Sequence, residues 1–295
     1  MVALARRSVA RLLAVDGRAR AWALPQSLPR AVLPGWSPAR HGSGSCSEPA
    51  GPSGLHGGQG KYSKASAAAY AGIDLSEGTF WLMYRHAEAA IGKWLPAPPS
   101  EARALDWGCG SGKSARWLRS ALSLAEVHGA DVDPQMLEQA RAADPLGEYA
   151  IAAGGCCPFP PGRYDLVLSM CVLIEISSLD AMRAYAREAF RMLRSGGIAV
   201  AVSATEESRD PANKFLSFRY LPSDPADPRN QRLRSGDRVL CRNNCGLVMQ
   251  DFFWTLDDIQ TAFEAAGFLT LGVTRTTGAA DDPFEWGAEL RVASD

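Results

Sequence analysis

Three alternating glycines follow an aspartate at the end of a short apolar run, and this spacing suits the binding of a nucleotide-like ligand. Asp106 ends the run that begins at Ala104, and Gly108, Gly110 and Gly112 come next. Glycine adopts positive φ without strain, so a ligand is able to approach the main chain closely. Helix-forming residues follow, and a helix N-terminus favours anionic or polar ligand groups. The segment therefore predicts a strand, a glycine turn and a helix around a nucleotide-like group.

Two other glycine-rich sites have spacings that this segment does not match. A dinucleotide site of the form G-x-G-x-x-G needs its third glycine where Lys113 stands. A phosphate loop needs four residues between its first glycine and G-K-S, and that first position is Trp107. Because Gly108 lies one residue too close, the cradle for a nucleoside triphosphate does not fit.

A second strand-like run ends in acidic residues, reading E-V-H-G-A-D-V-D-P from Glu126. Pro134 suits the first position of a helix, where its missing N–H has no partner in any case. Asp131 lies about 20 residues beyond the glycine turn, the separation expected for a ribose-binding carboxylate in Rossmann-like folds. Asp133 is the alternative ribose ligand, and it also suits the N-cap of the following helix.

Taken together, these segments resemble the class I S-adenosylmethionine-dependent methyltransferases that act on small molecules. The D-x-G-x-G-x-G pattern resembles their motif I, and alignment of G-A-D-V-D-P favours Asp131 as the ribose ligand, with Val132 against the adenine. Further matches follow in chain order: Y-D-L-V-L-S-M-C from Tyr164, R-M-L-R-S-G-G-I from Arg191, and a late helix that ends in A-G-F at Phe268.

The resemblance implies an α/β fold, namely a Rossmann-like seven-stranded class I methyltransferase sheet of strand order 3-2-1-4-5-7-6. Five ordered matches over roughly residues 62–275 place the methyltransferase domain at residues 61–295. Within it, residues 61–100 are expected to form an N-terminal helical cap and residues 203–251 an insert that covers the substrate. The late segment at residues 281–292, D-D-P-F-E-W-G-A-E-L-R-V, is expected to supply the final antiparallel strand.

The resemblance also implies that S-adenosylmethionine is the cofactor. Asp106 is expected to hold the glycine loop and, through water, the cofactor amine. Ala153 stands where relatives often carry an aspartate for the adenine, so that contact is missing or is made by backbone at Gly154 or Gly155. Arg85 is a candidate for pairing with the methionine carboxylate, and equally for packing or a surface ion pair. The expected cofactor-binding residues are Asp106, Gly108, Cys109, Gly110, Gly112, Asp131, Val132, Gly154, Ser169, Met170 and Arg85.

Glu175 is the candidate catalytic residue, since it is the one ionisable side chain in an apolar run just past the fourth strand. Many relatives place a histidine there. Burial would raise the pKa of Glu175 and let it act as a base, whereas capping or pairing with an arginine is the alternative role. A general base is needed only if the acceptor arrives protonated, because the sulfonium already makes the methyl group electrophilic and alignment supplies most of the rate.

These features predict the transfer of a methyl group from S-adenosylmethionine to a small organic acceptor. One alternative is a methyltransferase-like assembly or regulatory factor in an organelle that binds the cofactor without turnover. A second alternative is a protein or RNA methyltransferase. Residues 61–295 carry a net charge of −6, which argues against broad nucleic-acid binding. No motif specifies the acceptor atom or an oligomeric state.

Apolar and cysteine patterns exclude other classes of protein. No apolar run approaches the ~18 residues of a membrane-spanning helix. The seven cysteines have no regular spacing, which is typical of a reducing compartment. Cys156-Cys157 and Cys241-x-x-x-Cys245 have no histidine near them in sequence. We therefore expect no bound metal.

The first 60 residues differ from the rest and are predicted to be a transit peptide followed by a flexible linker. They contain seven arginines, no lysine and two acids, a net charge of +5. On a helical wheel at ~100° per residue, the aliphatic residues from Val2 to Val15 lie on one half, and Arg6, Arg7 and Arg11 lie on the other. Such a start is typical of organellar import, and the Pro-, Gly- and Ser-rich stretch that follows is typical of a linker. The expected location is the mitochondrion, with plastid and cytoplasm as alternatives.

Overall fold

The computed structural model describes residues 2–6, 61–73, 78–206, 218–221, 232–243 and 248–275. Its strands are β1 (Val2–Arg6), β2 (Arg103–Trp107), β3 (Glu126–Asp131), β4 (Glu148–Ile151), β5 (Tyr164–Met170), β6 (Leu193–Val202), β7 (Phe218–Leu221), β8 (Arg238–Asn243), β9 (Val248–Phe252) and β10 (Phe268–Val273). Its α-helices are α1 (Lys64–Ala71), α2 (Gly78–Trp94), α3 (Lys113–Ser120), α4 (Pro134–Ala143), α5 (Leu179–Met192) and α6 (Leu256–Ala265).

Five parallel strands in the order β4-β3-β2-β5-β6 form most of the central sheet. This confirms the predicted strand order 3-2-1-4-5. Helices cover both faces of the sheet, so adjacent residues of one strand enter two different cores. Leu166 and Leu168 pack with residues of α2 and α3 such as Ile91 and Leu118. Val167, between them, packs with residues of α5 and α6. Burial on both faces explains why these strands are nearly continuous apolar runs.

Short polar side chains cap the start of several helices, and the Asp133 cap is the one that the sequence predicts. The Asp133 carboxylate accepts hydrogen bonds from the amides of Gln135 and Met136, and Pro134 is the first residue of α4. Ser178 caps α5 and Thr255 caps α6 in the same way. These caps satisfy amides that have no partner inside a helix, so they fix where each helix leaves the sheet.

The seventh strand of the sheet comes from the opposite end of the chain to the one predicted. Val2–Arg6 lies between β6 and β10 and is antiparallel to both, with Leu4 opposite Ala199 on one side and Thr270 on the other. Residues 281–292, expected at this position, lie outside the described residues. The helical interpretation of the N-terminus is wrong for Val2–Arg6. So short a segment gains little as an isolated helix, whereas a place between two strands pairs its backbone on both sides. The rest of the predicted transit peptide lies outside the described residues.

A smaller antiparallel sheet of order β7-β8-β9 belongs to the predicted insert. Its last strand ends at Phe252, immediately before the segment that leads into α6. Among the helices of the described ranges, none has both the length and the apolar character needed to cross a membrane.

We predict that Leu4→Pro destabilises the protein because proline removes one ladder N–H from a central strand. The expected loss is roughly 2 kcal/mol, which for a domain of this size lowers Tm by roughly 4–8 °C. Thermal unfolding followed by circular dichroism measures it. Leu4→Val, which keeps the N–H and suits a strand, is the control. Equal Tm values for the two variants would show that β1 does not belong to the sheet in solution.

Candidate functional site

A pocket lies at the carboxyl ends of β2, β3 and β5, where residues from all three strand ends line it. β2 pairs with β3, the next strand in the chain, on one side and with β5 on the other side. This is the point where the strand order reverses, and it is where ligands bind in open α/β sheets. Residues of α1, α2 and the segment before α1 close the pocket from above, including Tyr62, Tyr70, Phe80, Met83 and Tyr84.

The predicted glycine loop has the backbone that its sequence suggests. Gly108, Gly110 and Gly112 all have positive φ, at 83°, 50° and 73°. A Cβ on Gly108 would lie 2.4 Å from Val172 Cγ2, and one on Gly112 would lie 2.7 Å from Tyr149 Oη. Both positions therefore need glycine for space as well as for conformation.

Gly110 suits glycine because of its positive φ and not because of crowding, since the space beside it is open. A Cβ there would meet only Met136 Cε, at 3.9 Å, among neighbouring atoms within 4 Å. Gly108, Cys109 and Gly110 line the pocket. A methyl group at Gly110 would thus project beside the pocket rather than into packed protein. The loop forms a cradle of main-chain atoms that a nucleoside-type cofactor fits.

Asp131 is the predicted ribose ligand, and the structure places it in the pocket wall next to Val132. Its Oδ2 accepts a hydrogen bond from the Gly110 amide at 2.7 Å, and its Oδ1 accepts one from the Asp133 amide at 2.9 Å. Burial raises the pKa of Asp131 to about 6, and the amide hydrogen bonds oppose that rise. A carboxylate has further lone pairs for two ribose hydroxyls. The donor and acceptor set therefore fits the ribose of S-adenosylmethionine, while Asp133 caps α4.

Asp106 supports the loop from behind and is not a wall of the pocket. It is fully buried, and its Oδ2 accepts a hydrogen bond of 2.6 Å from the Ser114 hydroxyl in α3. Burial raises the pKa of Asp106 to about 7. Its Oδ1 accepts no hydrogen bond from the described residues. The structure thus ties the end of β2 to the helix after the glycine loop, as predicted, and the water-mediated contact with the cofactor amine stays a prediction.

The remaining predicted cofactor residues divide into two groups. Met170 lines the pocket, whereas Gly112, Gly154, Ser169 and Arg85 do not. Gly154 is exposed, and its neighbour Gly155 lines the pocket instead. Arg85 is exposed on α2, away from the pocket wall.

Ser169 acts through a second residue. The Tyr185 hydroxyl bridges the Ser169 hydroxyl and the main-chain oxygen of Trp107, both at 2.8 Å. This bridge joins the ends of β5 and β2 beneath the pocket. Ser169 therefore positions the pocket wall without reaching the pocket itself.

Lys113 is a pocket residue that the sequence analysis missed as a ligand. It is the first residue of α3, is buried, and donates a hydrogen bond to the main-chain oxygen of Ile73. Its Nζ lies 5.5 Å from the Tyr70 ring centre and 5.7 Å from that of Phe80. An ammonium beside the glycine loop is suited to the carboxylate of an amino-acid cofactor, a role predicted for Arg85. The G-K-S triplet marks this lysine in the sequence, although the spacing before it does not fit a phosphate loop.

Glu175, the candidate catalytic residue, lines the same pocket as Asp131 and the glycine loop. Lys61 Nζ is 3.2 Å from Glu175 Oε1 and 2.6 Å from Asp251 Oδ1, and the Tyr62 hydroxyl is 3.3 Å from Glu175 Oε1. Burial raises the pKa of Glu175 to about 7, while the Lys61 charge opposes the rise. Glu175 is thus able to take up or release a proton near neutral pH. The basic partner of Glu175 is Lys61 and not an arginine. Lys61 lies 114 positions earlier in the sequence, so local patterns do not reveal the pair.

Cys171 also lines the pocket, with a positive φ of 57° that is uncommon for a residue with a side chain. Burial raises its pKa to about 12, so the group is a neutral thiol at physiological pH. A neutral thiol is a poor nucleophile, which disfavours a covalent mechanism through Cys171. Within the described ranges, no cluster of three or more His, Cys, Asp or Glu residues is arranged to hold a metal ion.

Part of this chain is similar to known methyltransferases. Residues 104–197 match the profile of the methyltransferase domain family. The chain is 31% identical over 155 residues to malonyl-[acyl-carrier protein] O-methyltransferase of Enterobacter lignolyticus, covering 48% of this chain and 59% of that protein. It is 35% identical over 107 residues to methyltransferase-like protein 27 of Homo sapiens, covering 35% of this chain and 43% of that protein. The matched segment is thus less than two thirds of each of these relatives.

Solved structures with a similar chain fold include a S-adenosylmethionine-dependent methyltransferase from Mesorhizobium loti, at 20% identity and a TM-score of 0.46, covering 70% of this chain and 90% of that one. Another is S-adenosylmethionine-bound CalS10, an amino pentose methyltransferase from Micromonospora echinaspora. It has 20% identity and a TM-score of 0.46, covering 70% of this chain and 89% of that one.

We predict that Asp131→Ala weakens S-adenosylmethionine binding at least tenfold, about 1.4 kcal/mol. The substitution removes the acceptor for the ribose hydroxyls and also the anchor of the Gly110 amide. Isothermal titration calorimetry of the full chain measures the affinity. Asp180→Asn is the control, since Asp180 is 84% exposed on α5 and does not line the pocket. Affinity unchanged in Asp131→Ala would remove the ribose contact from the site.

Cofactor affinity is also expected to fall as the pH drops through about 6, the pKa to which burial raises Asp131. Ribose hydroxyls donate to the ionised carboxylate, so binding releases a proton when the solution pH is below that pKa. Affinity then falls by up to about tenfold for each further pH unit. Asp106 and Glu175 titrate nearby, so the comparison is with Asp131→Asn, whose affinity should lack this dependence. Parallel pH profiles for the two proteins would refute the assignment to Asp131.

Proposed function

We propose, from the premise that this chain carries a class I S-adenosylmethionine-dependent methyltransferase domain, that the protein transfers a methyl group to a small organic acceptor. S-Adenosylmethionine is the cofactor. The observation that carries the proposal is that the glycine loop, Asp131 and Glu175 line one pocket. Cofactor-binding groups and a group able to move a proton thus share one space under the α1 and α2 cap.

The role of each group of residues in the reaction follows from this arrangement. The bound cofactor supplies a methyl group on a sulfonium, which is already electrophilic. The glycine loop and Asp131 hold the adenosine part in one orientation, so that an acceptor in the pocket meets the methyl group in line. Tyr62, Tyr70 and Tyr84 close the pocket and reduce its access to water. Glu175 is placed to remove a proton from the acceptor when the acceptor carries one.

The enclosure of the pocket favours a small acceptor over a folded macromolecule. Its roof consists of side chains from the cap, and the described part of the insert approaches the same region. Met249 Sδ lies 3.3 Å from the Tyr62 hydroxyl, and Asp251 holds Lys61. A polymer substrate would need an open groove here. The malonyl-[acyl-carrier protein] O-methyltransferase relative carries its acceptor group on a protein, as its name states, so a carrier-bound acceptor is the second candidate.

The basic N-terminus supports a mitochondrial location, which we also propose. Residues 1–60 carry a net charge of +5 and are rich in arginine. Removal of all 60 residues after import would take β1 out of the central sheet. This proposal therefore requires that Val2–Arg6 remain with the mature chain or that another segment take the same place between β6 and β10.

The test of the proposed activity is release of S-adenosylhomocysteine by the full chain in the presence of pooled small metabolites, measured by mass spectrometry. We expect turnover that depends on a small-molecule pool and is reduced at least tenfold in Asp131→Ala. Asp180→Asn serves again as the control with normal turnover. Methyl transfer only to acyl-carrier protein substrates would favour the second candidate. Absence of cofactor binding in the folded protein would overturn the proposed function.

A further inference from the structure

The far wall of the pocket differs from the cofactor side in its charge. We call it the acceptor face and define it by Tyr62, Tyr70, Cys171 and Glu175, all of which line the pocket. Behind Glu175, the Lys61 ammonium is shared between two carboxylates, those of Glu175 and Asp251. One positive charge thus faces two negative ones. When both acids are ionised, the cluster has a net charge of −1.

The surroundings of Glu175 do not balance this charge. The charged groups that act most strongly on Glu175 are Lys61, Asp251 and Asp131, which are one cation and two anions. Asp251 is 1% exposed, and its Oδ2 has no hydrogen-bond partner among the described residues. An unpaired oxygen on a buried carboxylate leaves its charge incompletely compensated. When Glu175 is ionised, the charges that act on its surroundings are more negative than positive, which favours a cation over an anion beside Glu175.

The aromatic side chains of the acceptor face suit a cation as well. The Tyr62 and Tyr70 rings meet edge to face, with centres 5.9 Å apart. Lys61 Nζ lies 5.8 Å from the Tyr62 ring centre, and Lys113 Nζ lies 5.5 Å from that of Tyr70. Ammonium groups are stabilised by the negative faces of such rings. Lys113 belongs to the helix after the glycine loop, so its charge lies on the cofactor side of this wall.

From this arrangement we infer that the acceptor is an amine, which enters as an ammonium ion, is held beside Glu175 and the tyrosine rings, and is methylated on nitrogen. The inference rests on the proposed methyl-transfer function and specifies the substrate class of the same pocket. Glu175 is then the catalytic base, with Lys61 and Asp251 as the residues that position it.

The reaction on the acceptor is balanced as follows. One proton moves from the ammonium nitrogen to a carboxylate oxygen of Glu175, which leaves a neutral amine with a free lone pair. The lone pair forms the new N–C bond while the S–C bond breaks, and its electrons stay on sulfur as S-adenosylhomocysteine forms. The product is an N-methylammonium ion, and Glu175 returns its proton to solvent. No oxidant, reductant or further co-reactant is consumed.

Other acceptor groups match the acceptor face less well. A carboxylate acceptor would bring a third negative charge beside Glu175 and Asp251, while Lys61 is already engaged by both. An aliphatic hydroxyl has a pKa far above the value of about 7 to which burial raises Glu175, so this base would ionise little of it. An ammonium group has a pKa of roughly 10. Partial desolvation in the pocket lowers the pKa of the ammonium group and raises that of Glu175, which brings proton transfer between them within reach.

The experiment uses the full chain and three small-molecule pools matched in size, consisting of primary amines, aliphatic alcohols and carboxylates. S-Adenosylhomocysteine release is measured for each pool, and the methylated atom is found by mass spectrometry. We expect turnover with the amine pool, an N-methyl product, and at least a tenfold lower kcat in Glu175→Gln. S-Adenosylmethionine affinity in Glu175→Gln should stay within about threefold of the wild type, which shows that the variant is folded. Asp180→Asn is the control for carboxylate removal elsewhere.

A second measurement keeps the inference testable if the pools lack the natural acceptor. Sinefungin carries an amine where S-adenosylmethionine carries its reactive methyl group, so its ammonium tests the charge of the acceptor face directly. We expect sinefungin to bind at least fivefold more tightly than S-adenosylhomocysteine, and Glu175→Gln to reduce that preference at least threefold. Asp180→Asn should leave the preference unchanged.

The outcomes separate this inference from the proposed function. Methyl transfer confined to alcohols or carboxylates overturns the amine assignment and keeps the methyltransferase activity. If no pool gives turnover, the sinefungin measurement decides. The amine assignment is overturned if the wild type shows no preference for sinefungin, or if Glu175→Gln leaves that preference unchanged. Failure of the folded wild-type chain to bind S-adenosylmethionine overturns the proposed function itself. Amine methylation, or a Glu175-dependent sinefungin preference, supports the inference.

Discussion

The hydrogen bond from the Gly110 amide to the Asp131 carboxylate is the contact on which the cofactor half of the pocket depends. It connects the turn after β2 to the end of β3, two strands that pair in parallel and end at the same edge of the sheet. The bond holds the glycine loop open towards the pocket and fixes the carboxylate at the same time. Because Asp131 is partly buried, hydrogen bonds from the amides stabilise its charge, so the loop and the acid depend on each other.

The acceptor half is held together by contacts between remote parts of the chain. Lys61 precedes the first cap helix, Glu175 follows β5, and Asp251 lies in β9, yet the three form one cluster. The pairing of Lys61 with Asp251 spans 190 positions. The cap, the central sheet and the insert therefore meet at a single ammonium group. This explains how one small cluster is able to set both the charge of the pocket and the position of its roof.

Features encoded locally were predictable from the sequence, and features that depend on distant pairing were not. The spacing of Gly108, Gly110 and Asp131 determines a turn and a carboxylate within one βαβ unit, so the sequence sufficed for them. Glu175 was identifiable as an isolated acid in an apolar run, but its lysine partner was not, because no periodic pattern connects them. Arg85 looked suitable by residue type, whereas the direction of its helix face places it at the surface. The strand at Val2–Arg6 was missed because an aliphatic stretch with arginines also fits an amphipathic helix, and only pairing with β6 and β10 decides between them.

The position of β1 has a consequence for how the chain is made. Val2–Arg6 is synthesised before both of its neighbours in the sheet, Leu193–Val202 and Phe268–Val273. The segment is therefore unable to pair on both sides until Phe268–Val273 has been synthesised. Pairing between such distant segments is slow and leaves incomplete sheets open to aggregation. Completion of the central sheet thus depends on Val2–Arg6 staying unpaired, or paired only reversibly, until Phe268–Val273 is available.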